Sequence, residues 1–212
     1  MRADVATGKG GLEAALAERL EAEAALLASS LAAATAWAVF GLVGRTEVGR
    51  TLVLPLAQLG RLDGAPLAEL IRLAGGEARP VGTVRDCPDA AIARALDEAP
   101  AGAALVVDPE LPEVLPPASF LWLCRQARVP ALIVDPASGR WAAWADGGAA
   151  LVVLDCRTLL GVEAGILAGT AEAVAACRAA EAASAAFRAP TALRAALGAA
   201  LAAGEQGQGQ GP

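Results

Sequence analysis

Histidine and tyrosine are absent from the 212 residues, and the only lysine is Lys9. Without histidine there is no imidazole general base, no Ser-His relay, no Cys-His pair and no imidazole metal ligand. With lysine confined to residue 9, the body of the chain offers no amine for a Schiff base. Basic charge is also scarce: 17 Lys and Arg stand against 23 Asp and Glu, a net charge of −6. Such a chain has no basic field to neutralise phosphates, so nucleic acid is not an expected partner. The four cysteines include no C-x-x-C pair and mostly lie in or beside apolar segments. They read as reduced core thiols, with no metal site. Acidic residues stand where a signal peptide would carry its apolar region, which disfavours secretion and gives a cytoplasmic expectation. Carboxylates, arginines, hydroxyls and thiols remain for chemistry, a set that favours a non-catalytic protein.

What is present can build a core. Hydrophobic residues make up 56% and charged residues 19%, a balance that folds and is long enough for one domain of ordinary size. Leu12–Leu27 carries apolar residues at helical spacing with glutamates on the other face, and reads as an amphipathic helix able to dock as an arm. Its leucines, Leu16 and Leu20 among them, are candidate interface residues. Ser29 and Ser30 offer an N-cap for a second helix through about Leu42. From Ala24 to Gly44 there is no charge for 21 residues, the length of ~20 that spans a membrane. Ala and Ser dominate the stretch, so a buried helix is favoured over a transmembrane one.

Beyond residue 50 the texture alternates. TLVLPL (51–56), 78–81, AALVV (103–107), ALIV (131–134) and AALVVL (149–154) are short apolar runs, with helical patterns at 66–73, 89–98 and 118–127. Alternation of this kind argues for a mostly parallel sheet with helices on both faces, a three-layer α/β/α domain. GILA (165–168) follows the last run too closely for a helical crossover, so that strand is expected to run antiparallel. An Ala-rich helix fills 170–187, and another starts at Pro190. The expected organisation is a helical arm at 1–28, an α/β domain at 29–203 and a flexible tail at 204–212.

Several segments together resemble the large domain of the bacterial selenocysteine synthase (L-seryl-tRNA selenium transferase) family, of the fold-type I pyridoxal-phosphate superfamily. They are TLVLPLAQLGRLDGAPLAELIRLAGGEARPVGTVRDC, ALIVDPASGRW, LVVLDCRTLLGVEAGILAG and PTALRAALGAAL, collinear over roughly residues 28–203. The resemblance implies a large domain without the family's tRNA-engaging amino-terminal domain or its small domain. It places the cofactor lysine just before Leu159-Leu160-Gly161, where this chain has Thr158. It implies a phosphate contact where only Ser29 and Ser30 remain, and a ring-stacking histidine that has no counterpart. It also matches Asp135 to the aspartate that pairs with the pyridine nitrogen.

These positions read as a vestigial pocket of Ser29, Ser30, Asp135, Ser138 and Thr158, with no catalytic residue and no cofactor. An Asp at a strand end before Pro136, Ser138 and Gly139 is equally an ordinary loop opening. Gly161-x-x-x-Gly165 links two strands and reads as a turn. Trp141 and Trp144, three residues apart in a small-residue stretch, are candidate partner contacts. The favoured reading is a non-catalytic subunit that self-associates or joins a heteromeric complex. The alternative is an enzyme or small-molecule-binding protein that reuses the pocket around Asp135 and Cys156.

Overall fold

The structure is a computed structural model and describes residues 9–43, 49–98, 101–108, 116–137, 140–183 and 187–208. Its strands are β1 (Ala24–Ala28), β2 (Thr51–Pro55), β3 (Arg61–Leu62), β4 (Ala65–Pro66), β5 (Glu77–Val81), β6 (Ala101–Val107), β7 (Ala131–Asp135), β8 (Leu151–Asp155) and β9 (Gly165–Gly169). The helices are α1 (Lys9–Arg19), α2 (Leu31–Val43), α3 (Leu67–Leu73), α4 (Asp89–Glu98), α5 (Pro117–Ala127), α6 (Trp141–Asp146), α7 (Cys156–Leu160), α8 (Ala171–Ala183) and α9 (Thr191–Gln208).

The apolar runs form one seven-stranded sheet in the order β1-β9-β8-β7-β6-β2-β5, and β3 pairs with β4 in a separate hairpin. The strands from β5 to β8 are parallel, while β9 is antiparallel to both neighbours. The expected direction of β9 is thus observed, with Leu151 opposite Gly169 and Asp155 opposite Gly165. Central strands are buried on both faces, as a sheet covered by two helical layers requires. Because side chains alternate, Leu52, Leu54, Leu105, Leu132, Val134 and Val153 face α2, α3 and α8. Val53, Val106, Ile133, Val152 and Leu154 face α1, α4, α5, α6 and α9.

The amino-terminal expectations need correction. α1 ends at Arg19, and Glu21 takes a left-handed backbone with φ of 50°, after which the chain enters β1. The uncharged stretch from Ala24 is therefore a strand followed by a helix, and no described helix is long and apolar enough to cross a membrane. β1 pairs with β9 from Ala24↔Gly169 to Ala28↔Gly165, so the described part of the expected arm, residues 9–28, packs into the domain. Leu16 and Leu20 are buried in the core of their own chain and offer no surface to a partner. At the other end, α9 carries the backbone on to Gln208, beyond the 203 boundary expected from sequence.

A buried carboxylate fixes α1 in place. Glu13 is 2% exposed and accepts from Arg178 Nη1 of α8 at 2.8 Å and Arg194 Nη2 of α9 at 3.1 Å. On the other helical layer, α2 is buried around nearly its whole circumference. A side chain at Gly41 would overlap Cys177 Sγ and crowd the α8 backbone; only glycine allows α2 and α8 to approach this closely.

Candidate functional site

In open α/β sheets ligands bind beyond the carboxyl ends of the strands, where the winding reverses. Here the chain crosses from β2 outward to β5 and then returns to β6 on the other side of β2. A cleft of about 370 Å³ opens at that reversal, lined among others by Gln58, Arg61, Asp63, Asp108, Pro136 and Asp155. Local structure sets each group. A 3-10 turn, Leu56–Gln58, directly follows β2 and buries Gln58. The Gln58 Oε1 accepts from Val107 N at 2.9 Å, and its Nε2 donates to the Val107 carbonyl. The side-chain amide thus continues the β-ladder past the end of β6. Asp63 and Gly64 form the two-residue turn of hairpin β3–β4, with φ of 48° and 79°, the left-handed pair that Asp-Gly supplies most readily. Asp155 ends β8 and caps α7, accepting from Arg157 N at 2.8 Å. Three carboxylates and one guanidinium leave the cleft acidic.

The structure brings the described sequence-derived positions to this end of the sheet, each hydrogen-bonded to another part of the chain. Ser30 caps α2 as expected, its Oγ accepting from Ala33 N at 3.1 Å; Ser29 is half-buried, and its backbone N donates to the Phe187 carbonyl at 2.9 Å. The amide of Ala32, one position before Ala33, donates to Asp63 Oδ2 at 2.8 Å. Asp135 is 2% exposed; its Oδ2 accepts from Trp144 Nε1 at 2.9 Å and its Oδ1 from Ala137 N at 3.2 Å. Thr158 lies on α7 and donates to the Pro136 carbonyl at 3.1 Å. Ser138 lies outside the described residues.

Two expectations change at this point. Trp141 and Trp144 are both buried on α6, and Trp144 is held inward by Asp135, so neither is a surface anchor; on the surface, Trp122 of α5 is 53% exposed instead. The pocket expected around Asp135 and Cys156 is lined instead by their chain neighbours Pro136 and Asp155. Cys156 is fully buried; burial, and then the charge of Asp155, push its thiol up to about 12, which leaves no thiolate nucleophile at neutral pH. Sequence reasoning missed Gln58, Asp63 and Asp108. The Asp63-Gly64 dipeptide was the available signal, since Asp-Gly marks a tight hairpin turn.

The chain superposes on solved enzymes of similar architecture. With a structure of D-glucosaminate-6-phosphate ammonia-lyase it shares a TM-score of 0.81 at 20% identity, over 96% of this chain and 58% of that one. With cystathione gamma lyase (CalE6) from Micromonospora echinospora the TM-score is 0.69 at 21% identity, over 92% and 52%. With the pyridoxal-5'-phosphate dependent protein YhfS from Escherichia coli it is 0.66 at 22% identity, over 91% and 52%. The fold is the fold-type I large domain. The chain spans little more than half the length of these neighbours. No protein-family model and no curated protein matches the sequence.

The residues present do not fit the pyridoxal phosphate that this fold implies. Thr158, matched by resemblance to the cofactor lysine, cannot form an imine, and its hydroxyl donates to the Pro136 carbonyl. The amino end of α2, where the resemblance places the phosphate contact, already receives the Asp63 carboxylate. Asp135, matched by resemblance to the pyridine partner, accepts an indole N–H from its own chain.

Proposed function

We propose that this chain is a non-catalytic member of the pyridoxal-phosphate-transferase fold, a subunit that self-associates or pairs with another protein to organise or regulate a complex. The observation that carries the reading is that Asp63, Asp135 and Thr158 at the strand ends are all hydrogen-bonded within the chain. Apolar surface for association comes from Trp122, Leu73 and Phe40, which are 53%, 68% and 38% exposed. The specific family, selenocysteine synthase-like, rests on the collinear sequence segments.

The test is absorbance during titration with pyridoxal phosphate, paired with light scattering. The expected outcome is no imine band and an assembly larger than a monomer, alone or with its partner. A borohydride-reducible adduct at a buried site would overturn the non-catalytic part, and a clean monomer at micromolar concentration that captures nothing would overturn the assembly part. The cleft favours a second reading, a small-molecule-binding protein, because its volume falls within the range of ordinary ligand pockets, about 300–1,000 Å³. On that reading the binding groups are Gln58, Arg61, Asp108 and Asp155, and Cys156 takes no part.

A further inference from the structure

We propose that hairpin β3–β4 is a built-in plug: the Asp63 carboxylate holds the anion-seeking end of α2 and bars phosphate-bearing ligands from the cleft. α2 is 13 residues long, so its peptide dipoles add to a partial positive charge at the amino end, where the first N–H groups have no partner within the helix. Leu31, the first residue of α2, lines the cleft, so this end opens onto a space large enough for a ligand. An end placed like this attracts phosphate when nothing else meets it. Here the Ala32 N–H is taken by Asp63 Oδ2, across 31 residues of sequence, and the Ala33 N–H by Ser30 Oγ.

The plug is held in place from several directions. Leu62, beside Asp63, is buried in the same cluster as Leu31. The Leu67 N–H donates to the Gly60 carbonyl at 2.9 Å and closes the base of the hairpin. The Arg61 guanidinium, the one cation lining the cleft among the described residues, donates to the Gly64 carbonyl. A carboxylate tethered in this way acts at an effective concentration of at least millimolar. Asp108 and Asp155 face the same space and add repulsion towards any incoming anion. The plug excludes a ligand class whether or not the chain organises a complex, so the inference goes beyond the function proposed above.

The test uses the full chain labelled with 15N and inorganic phosphate as the probe, at constant ionic strength, reading the Ala32 and Ala33 amide resonances. The wild type should show no saturable shift. Asp63→Asn keeps an acceptor for the Ala32 N–H but removes the charge, and Asp63→Ser removes both the charge and the reach. Each is expected to give a saturable phosphate-dependent shift at the Ala32 amide, the N–H that Asp63 holds in the wild type. Saturable phosphate binding at Ala32 of the wild type would overturn the proposal. So would two folded variants that bind no better than the wild type.

Discussion

Replacing Glu13 with leucine tests whether α1 belongs to the core. The carboxylate is 2% exposed and meets Arg194, 16% exposed, and Arg178, 43% exposed. Breaking a buried ion pair by removing one partner costs about 3–5 kcal/mol, because the remaining charge is left in a poor solvent. The half-exposed Arg178 can turn to water, so its share falls to about 1 kcal/mol or less. Arg194 supplies the rest, and its Nη1 already lacks a hydrogen-bond partner. The sum is about 3 kcal/mol, a large part of the roughly 5–15 kcal/mol that stabilises a typical domain. For a chain of this length it lowers the melting temperature by roughly 6–12 °C. Urea and thermal unfolding of the isolated chain measure the loss. The double variant Glu13→Leu with Arg194→Met should recover much of it, since an apolar replacement leaves no orphaned charge. A Glu13→Leu chain within about 0.5 kcal/mol of wild type, or a double variant no more stable than the single one, would refute this account of how α1 is held.

Three further outcomes follow from the same geometry. Burial pushes the Cys124 thiol up to about 12, with Cys156 at a similar value; both should therefore resist a disulfide reagent at pH 8 until the chain unfolds. Above about pH 9 the unfolded thiols ionise while the folded ones stay protonated, so stability should fall with rising pH by about 1.4 kcal/mol per unit for each, a loss that continues to about pH 12. Denaturation midpoints from pH 8 to 11 measure the slope, and a flat profile contradicts it. Trp144→Phe removes the indole donor to Asp135 Oδ2 and should cost about 1–3 kcal/mol through an under-satisfied buried carboxylate, read by thermal unfolding.

Much of the sheet was legible because five of its seven strands are apolar runs bounded by Gly, Pro or charge, and the alternation with helices argues for parallel pairing. β1 was not. Its sequence, AALLA, has no β-branched residue and sits inside a long uncharged stretch, where periodicity cannot separate a buried strand from a buried helix. What makes it a strand is β9, far along the chain. The candidate site was legible at the level of single residues, Ser30, Asp135 and Thr158, but their partners were not. Asp63 meets Ala32 and Thr158 meets Pro136 only through the fold. Trp144 carried the correct signal, a conspicuous aromatic, and the wrong direction: an acceptor nine residues upstream draws it inward.

The position of β1 also sets a clock. Its strand partner in the sheet, β9, follows about 140 residues later, and at roughly 5–20 residues per second this is a wait on the order of ten seconds. During that interval Leu26 and Leu27, fully buried in the finished sheet, have no ladder to join. α2 waits with them, since α8, against which Gly41 packs, is made after β9. A nascent chain of this design leaves an uncharged, aliphatic segment without its partners throughout that interval, which makes it a natural client for chaperones that bind such stretches.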